Sequence, residues 1–300
     1  MSHASNPAAR RIRSALFVPA HQRQFRETAI DCAADAVILD LEDSVPPAER
    51  PAARAEIGEW LADAGATPTP AVCVRINGPS EGCLDDDLAA AVRPGLEAVM
   101  VSKVSDASEV RHVADLLAAH EERAGMPVGS VRVWPILETA LAVRNAYELA
   151  CASERVAYMG AAAAPNGDIA RALGLGWTDT FLETLFLRSK VLLDVRAAGV
   201  PNPMTGVVTS LRGLEELEAF AQQSRAIGYE GMMVIHPSHV PVVNEIFGPS
   251  DEELAAARRL IAATDQAAAM GAGAIEHEGR MVDAAMVRVA QDLIAKSEAT

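Results

Sequence analysis

Short apolar runs rich in Val, Ile and Met recur along this chain and alternate with longer stretches of helical spacing. A continuous apolar run of about four to eight residues is typical of a strand buried on both faces, as in a parallel sheet. We predict one strand for each of eight such runs, at residues 14–20, 36–42, 71–77, 98–104, 131–138, 155–161, 206–210 and 231–237.

The segments between these runs are rich in Ala, Leu and Glu and predict helices, for example at residues 109–123 and 211–227. Strands that alternate with helices pair in parallel through right-handed crossovers. The sequence therefore predicts an α/β fold, with a (β/α)8 TIM barrel over residues 13–250. A doubly wound open sheet is the alternative. Its nucleotide-binding version is weakened because neither GxGxxG after an early strand nor GxxxxGK[ST] occurs.

Two further helices are predicted beyond the eighth strand. The first covers residues 251–270, with Ser250 as its N-cap, and the second covers residues 283–296. A glycine hinge at residues 271–273 separates them. The pair, within residues 251–300, either packs on the barrel wall or forms a lid or a segment exchanged between subunits. The residue pattern alone slightly favours the barrel wall.

Composition narrows the class of protein. The 300 residues are 50% hydrophobic and can bury a large core, while 41 acidic against 26 basic residues give a net charge of −15. That charge argues against nucleic acid or an anionic membrane as a partner. No run approaches the roughly 18 apolar residues of a membrane span, and residues 1–12 are expected to form a flexible tail. We expect a cytoplasmic protein with four reduced, mostly buried cysteines, namely Cys32, Cys73, Cys83 and Cys151.

Polar side chains follow nearly every predicted strand, and in a barrel of this kind the active site lies at the carboxyl ends of the strands. Placing carboxylates directly after strands buried on both faces costs free energy unless they bind a cation or a basic partner. The side chains at these ends are His21, Arg23, Asp40, Glu42, Asp43, Arg75, Asn77, Lys103, Glu138, Asp168 and His236.

These side chains divide into a cation-binding set and an anion-binding set. Glu138 and Asp168 come from different strands without a His/Cys cluster, which suits Mg²⁺ that keeps several waters. Arg23, Arg75 and Lys103 could hold a substrate carboxylate or carbonyl oxygen. A metal ion and arginines around one cavity stabilise an enolate, as in the cleavage of a C–C bond beside a carbonyl.

Each residue also has a purely structural interpretation. Glu138 and Arg75 could form an ion pair between strands, and Lys103 could extend to solvent. Asp40 has the weakest functional case, because it could cap the next segment or pair with a base inside the barrel. The joint occurrence at six strand ends favours a site. His236 could be a hydrogen-bonded core histidine instead of a site residue, and His112, His120 and His239 are expected at solvated helix or loop positions.

Eight motifs in order resemble one family over residues 13–295. They are LFVPA followed by Arg23, ILDLEDSV, VRIN, SKV, PILETA, GDIARALG, VIHPSHVPVVNEIF and GRMVDAAMVRVA. The chain is similar to citrate lyase β-subunit-like and malyl-CoA lyases, within the HpcH/HpaI aldolase superfamily. The resemblance implies a (β/α)8 barrel, a homotrimer or homohexamer, a Mg²⁺ cofactor, and cleavage of malyl-, citramalyl- or citryl-CoA thioesters. Citrate lyase-type partner subunits are not excluded.

The resemblance also implies roles for individual residues. Arg23 and Arg75 would hold the oxo-acid end of the substrate, and Glu138 and Asp168 would coordinate Mg²⁺. Asp283, in the C-terminal segment that relatives bring in from a neighbouring subunit, would act as acid or base. This favours the lid over packing on the wall. Two acids match positions that lie near the metal-bound waters and orient Arg or water ligands, namely Glu42 and Asp43.

The chain departs from the family pattern at several positions. Ala20 replaces the glycine of VPG, Met232 stands where lysine is common, and Thr205 stands where an aspartate is expected. The usual GxxD after the sixth strand is stretched to residues 160–168. These changes predict a divergent lyase. The alternatives are a thioesterase, a malate synthase-like condensing enzyme, an aldolase for free hydroxy-oxo acids, and a non-catalytic assembly subunit.

Overall fold

Eight parallel strands close into a barrel in the computed structural model, which describes residues 9–65, 69–269 and 274–298. Each strand pairs with the next along the chain, and the last pairs with the first. The strands are β1 Ser14–Pro19, β2 Ala36–Asp40, β3 Ala71–Ile76, β4 Leu96–Val101, β5 Arg132–Leu137, β6 Tyr158–Ala161, β7 Asn202–Thr205 and β8 Gly231–Val234.

Helices cross from each strand to the next around the outside. They are α1 Phe25–Asp31, α2 Arg50–Ala64, α3 Leu84–Ala91, α4 Ala107–Arg123, α5 Ala140–Arg144, α6 Ala146–Ala150, α7 Asp168–Leu173, α8 Leu182–Ala197, α9 Glu215–Ile227 and α10 His239–Phe247. The predicted (β/α)8 barrel is confirmed. The open sheet is wrong, because β1 pairs with β8 through Ala15 and Met233, which closes the ring.

Strand β7 lies four residues before its predicted position. Proline usually marks an edge or a break in a sheet, so the sequence pattern favoured the apolar residues 206–210 over Asn202–Thr205. All four residues of β7 are nevertheless buried, and Pro203 lies opposite Met159 of β6. Two glycines line this contact. A Cβ on Gly160 would stand 1.6 Å from the backbone oxygen of Met204, and one on Gly206 would stand 2.5 Å from that of Ala163.

The interior of the barrel is filled by side chains from alternate strand positions. Trp134 of β5 stacks on Tyr158 of β6 with ring centroids 5.0 Å apart. Small alanines on the first four strands leave room for these rings, at Ala15, Ala36, Ala71 and Ala98. Ile12 is 1% exposed and belongs to the same core, so the predicted tail is already packed at that residue. Residues 1–8 of that tail lie outside the described residues.

Several smaller expectations need correction. The four cysteines are free, as expected, but only Cys73 is buried and Cys151 is exposed. His120 and His239 are buried rather than solvated, because His120 Nε2 donates to Asp85 at 2.8 Å and His239 Nε2 donates to the Ser210 carbonyl at 3.0 Å. Each ring gains a local acceptor that its sequence neighbours do not reveal.

Thr205 lies beside a buried arginine on the outer face of β7. The Arg188 guanidinium is fully buried and donates to Thr184 at 3.0 Å, to Ser224 at 3.0 Å and to Gln223, all of which are neutral side chains. Thr205 Oγ1 is 3.4 Å from the same Ser224 hydroxyl. Burial lowers the pKa of Arg188. The aspartate expected at position 205 would therefore have placed a negative charge close to this cation.

The chain divides into two compact units after Asn244, and the second begins at Glu245. Its elements are α11 Asp251–Ala269, β9 Ile275–His277, β10 Arg280–Val282 and α12 Ala284–Glu298. Ser250 caps α11 as predicted, because its hydroxyl accepts from Glu253 N at 3.2 Å and Glu253 accepts from Ser250 N at 2.8 Å. Met270 and the predicted hinge at residues 271–273 lie outside the described residues, and the lid stays a prediction.

No helix in the described part of the chain combines the length and the hydrophobicity that a membrane crossing requires.

Candidate active site

Arg75 and Asp40 form a buried, two-point ion pair at the carboxyl ends of β3 and β2. Arg75 Nε and Nη2 donate to the two oxygens of Asp40, each at 2.6 Å. Asp40 also accepts from the backbone N–H groups of Glu42 and Ser44. Burial acts to raise the pKa of Asp40, but the hydrogen bonds and charge of Arg75 outweigh it and hold the pKa below its usual value. The pair fixes the plane of the guanidinium at the barrel mouth.

Two further acids lie between Arg75 and Lys103. Arg75 Nη1 is 3.0 Å from Glu42 Oε2 and 3.7 Å from Asp43 Oδ2. Lys103 Nζ donates to Glu42 Oε1 at 2.5 Å and lies 3.4 Å from Asp43 Oδ1. Glu42 is 3% exposed, whereas Asp43 is 58% exposed. Burial raises the pKa of Glu42, and the two cations oppose that shift. The four side chains form a ring of alternating charge.

The backbone at Lys103 is adapted to this ring. Lys103 has a φ of 55°, in the left-handed region that few residues other than glycine adopt. Its neighbour Ser102 is fully buried and donates to the Ile76 carbonyl at 3.1 Å. Gly78 packs against the same turn, since a Cβ there would stand 2.8 Å from the Ser102 oxygen. The turn after β4 thus directs the ammonium group towards Glu42.

Glu138, directly after β5, is a buried acid with an unsatisfied oxygen. The residue is 6% exposed, and its Oε2 has no hydrogen-bond partner among the described residues. Burial raises the pKa of Glu138 to about 7, against the opposing charge of Arg75, and the nearby acids Glu42, Asp43 and Asp168 add to the increase. The structural alternative for Glu138, a hydrogen-bonded ion pair with Arg75, is not seen among the described residues, where the Arg75 side chain donates to Asp40.

Asp168 opens α7 and lies at the same mouth. Its side chain is 35% exposed and lies 3.4 Å from Arg171, which is 84% exposed, so this contact is a weak surface pair. The charge of Asp168 is near enough to raise the pKa of Glu138. Among the described residues, no group of three or more His, Cys, Asp or Glu side chains is arranged to hold a metal. Any cation here would have two carboxylates and several waters.

The structure does not bring the other predicted residues into this cluster. Arg23 is 62% exposed and pairs with Glu59 at 3.0 Å and Glu56 at 3.8 Å, because the turn after β1 directs it towards α2. His236 is exposed, so its structural alternative as a core histidine is wrong, and its Nδ1 accepts from the Ser238 backbone N–H at 3.2 Å. Asp283 lies in the second unit, where its Oδ1 accepts from the first two N–H groups it can reach in α12, at 2.9 and 3.2 Å.

Asp40 and Phe17 support Arg75 from inside the barrel. Asp40 does what its structural interpretation predicts, because it pairs with Arg75 and accepts from the backbone N–H groups of the segment that follows. Phe17 is absent from the predicted set. The ring of Phe17 lies under the guanidinium, with the Arg75 Cζ atom 5.0 Å from the ring centroid. The alternation of inward and outward side chains along β1 could have identified Phe17. Phe17 follows Ala15 by two residues in β1 and therefore shares its inward face.

Acids and bases gather at the ends of β2 to β5 of this closed (β/α)8 barrel, and this is the end at which enzymes of this fold have their active sites. The chain belongs to the HpcH/HpaI aldolase/citrate lyase family, whose model matches residues 13–237. It is therefore a carbon–carbon lyase by class.

Individual relatives cover nearly the whole chain. A citrate lyase subunit beta-like protein of Deinococcus radiodurans is 37% identical over 95% of this chain and 96% of its own length. A (3S)-malyl-CoA thioesterase of Cereibacter sphaeroides is 32% identical over 100% of this chain and 98% of its own. The crystal structure of protein CitE from Mycobacterium tuberculosis with magnesium, acetoacetate and coenzyme A is 30% identical, has a TM-score of 0.74, and covers 97% of this chain and 100% of that chain.

Proposed function

We propose that this protein is a Mg²⁺-dependent lyase that cleaves a short 3-hydroxyacyl-CoA into acetyl-CoA or a homologue and a 2-oxo acid. Malyl-, citramalyl- and citryl-CoA are the candidate substrates. Family membership and the CitE complex with magnesium and coenzyme A support this class of substrate. The observation that carries the proposal is the pairing, at one mouth, of a fixed arginine with a buried, unsatisfied carboxylate.

The acids at the mouth fit a divalent cation. Glu138 has a buried oxygen without a hydrogen-bond partner among the described residues, and burial, with a smaller contribution from neighbouring carboxylates, raises its pKa to about 7. A cation near this oxygen would relieve both the missing hydrogen bond and the charge repulsion. Glu138 and Asp168 are the residues that would hold Mg²⁺. When bound, the ion would polarise the oxygens at the oxo-acid end of the substrate and stabilise developing negative charge.

The chain's own residues would act on the organic part of the reaction. A base removes the proton of the 3-hydroxyl group, the C2–C3 bond breaks, and its electron pair forms the thioester enolate at C2. The former hydroxyl carbon becomes the carbonyl of the 2-oxo acid. Arg75 would neutralise the carboxylate of that acid through its Nη1 edge, because Asp40 already binds the other edge. A proton then returns to C2 and completes acetyl-CoA.

Asp283 is proposed as the residue that handles the proton at the enolate, and this role rests on the family resemblance of its motif. Its cap on α12 gives the same side chain a structural role in the second unit. Arg23 is proposed as a second contact for an anionic part of the substrate, after release from its exposed pair with Glu59. The homotrimer or homohexamer likewise stays a prediction.

A thioesterase is the second candidate function, because the (3S)-malyl-CoA thioesterase covers the entire chain at 32% identity. Both functions would use one enolate-stabilising mouth. They differ in the bond that breaks: the lyase keeps the thioester and yields a 2-oxo acid, whereas the thioesterase releases free thiol and a hydroxy acid.

The test follows free thiol and 2-oxo acid separately while the protein and Mg²⁺ act on malyl-, citramalyl-, methylmalyl- and citryl-CoA and on free hydroxy-oxo acids. Glu138→Ala should abolish the product, and the exposed matched variant Glu148→Ala should not. Oxo acid with the thioester retained identifies the lyase and its substrate. Thiol without oxo acid identifies the thioesterase. Cleavage of free acids alone rejects the thioester, and silence on every compound favours an assembly subunit.

A further inference from the structure

Lys103 contacts two acids and no other charged group among its described hydrogen bonds and ion pairs. Its Nζ donates to Glu42 at 2.5 Å and reaches Asp43 at 3.4 Å. The side chain is 35% exposed, so it could have extended into the open mouth. It turns back to Glu42 instead, from a left-handed backbone that Gly78 makes room for. This arrangement directs the ammonium to a neighbouring side chain rather than to an incoming ligand.

Glu42 forms an ion pair with Arg75 but no aligned hydrogen bond. Glu42 Oε2 lies 3.0 Å from Arg75 Nη1, yet this buried oxygen has no hydrogen-bond partner among the described residues. Among the described residues, the Arg75 side chain donates its hydrogen bonds to Asp40, from Nε and Nη2. Nη1 therefore keeps N–H groups that are not aligned with a protein acceptor. These are the groups that a substrate carboxylate would need.

We infer that Lys103 is a positioning residue which holds the Glu42 carboxylate out of alignment with Arg75 and so keeps the Nη1 edge available to the substrate. The inference rests on the proposed function, in which Arg75 binds the oxo-acid end. Without Lys103, Arg75 would be the strongest cationic neighbour of Glu42. The buried carboxylate would then rotate onto Nη1 and form the aligned, charge-assisted hydrogen bonds that Lys103 now prevents. The substrate would have to displace it.

The kinetic test compares Lys103→Met alone with the same change in a Glu42→Gln background. Lys103→Met should raise KM about tenfold, the order expected when one hydrogen bond to a charged group is contested, with kcat within about threefold. Lys103→Arg should restore most of the lost affinity. In Glu42→Gln protein, Lys103→Met should leave KM unchanged, because no carboxylate remains to compete. Lys190→Met is the control lysine away from the mouth. It removes a half-buried ammonium that pairs with Asp194 and donates to the Val143 and Arg144 carbonyls, and it should leave KM unchanged.

Two kinetic results would overturn the inference. An equal increase in KM in the Glu42→Gln background would mean that Lys103 binds the substrate itself. A fall in kcat with KM unchanged would mean that it serves the chemical step. If Lys103→Met does not fold, as judged by its melting temperature, Lys103→Gln replaces it with the same expectations.

A crystal structure of ligand-free Lys103→Met gives a readout that does not depend on activity. We expect a Glu42 oxygen to move into line with Arg75 Nη1, and an unchanged Glu42 would overturn the inference. If the unchanged protein cleaves no thioester, the proposed function fails, while this structural comparison still decides whether Lys103 holds Glu42 away from Arg75.

Discussion

One edge of the Arg75 guanidinium donates two hydrogen bonds of 2.6 Å to Asp40, across the ends of two adjacent strands. The other edge of the guanidinium, which carries Nη1, faces the mouth of the barrel. Asp40 is 2% exposed and Arg75 is 11% exposed, so both charges depend on each other for solvation. The other charged groups at the mouth are arranged around this fixed pair.

Asp40→Asn should lower the free energy of unfolding by about 3 kcal/mol, because it removes the charge that binds a buried guanidinium at two points and leaves only the unaligned contact with Glu42. Urea unfolding followed by circular dichroism measures the loss. Asp43→Asn is the matched control, since Asp43 is 58% exposed and lies 3.7 Å from Arg75, and it should cost less than about 1 kcal/mol. Equal losses for the two variants would show that the buried Asp40–Arg75 pair contributes no more to the free energy of unfolding than an exposed one.

Glu138 should make the metal-free protein less stable as the pH rises. Its pKa is about 7 in the folded state against an ordinary value of 4.5, so the folded state binds the proton more tightly between these values. The stabilisation is complete below about pH 4.5 and is lost through pH 7, with a total of about 3 kcal/mol at 1.36 kcal/mol per pKa unit. The free energy of unfolding should be measured at several pH values across this range. Its dependence on pH should be weaker in Glu138→Gln, but unchanged in Glu148→Gln, which alters an exposed residue.

Magnesium should stabilise the protein at neutral pH through Glu138 and Asp168. A ligand at about 100 times its Kd adds about 2.7 kcal/mol to the free energy of unfolding. The melting temperature should therefore rise with Mg²⁺ and return to its starting value with a chelator. Glu138→Gln and Asp168→Asn should each lose this rise. A rise that persists in both variants would place the cation elsewhere.

Two substitutions of Asp283 separate its role as the cap of α12 from its proposed role as a general acid or base. Asn keeps an oxygen that can accept from Ala285 and Met286 N–H groups, whereas Ala does not. Asp283→Asn should therefore retain stability while kcat falls about 10²- to 10⁴-fold, the range for a general acid or base. Asp283→Ala should lose the same activity and about 1 kcal/mol of stability. Full activity in Asp283→Asn would leave the residue with the capping role alone.

Thr205→Asp should raise the stability of the first unit. The new carboxylate would lie near the Ser224 hydroxyl that already accepts from the buried Arg188. Its charge would attract the Arg188 guanidinium, and we expect this interaction to add about 1 kcal/mol to the free energy of unfolding. Thr205→Asn, which has the same shape and no charge, is the control and should add nothing. Chemical denaturation compares the two, and a loss in Thr205→Asp would mean that burial of the new charge dominates.

The sequence could predict the barrel because each buried strand leaves a local apolar run. It misplaced β7 because the strand includes Pro203, and only the neighbouring strands show that this residue fits. Arg75, Glu42 and Glu138 could be assigned to one mouth, since strand ends in a barrel converge. The direction of a long side chain could not be predicted, because it depends on distant partners. Arg23 turns to Glu59, and Lys103 turns to Glu42.

Gly160 in β6 and Gly206 directly after β7 determine where this enzyme could be re-engineered. Since Gly160 and Gly206 place backbone directly against backbone, any side chain there would force the strands apart, and saturation mutagenesis should find almost no replacement. Further along this segment, Ala163 and Ala164 are buried and Gly206 packs on the Ala163 backbone, whereas Pro165 is half-buried and Asn166 is exposed. A library confined to residues 165 and 166 could therefore remodel the approach to the mouth while the frame that supports it stays intact.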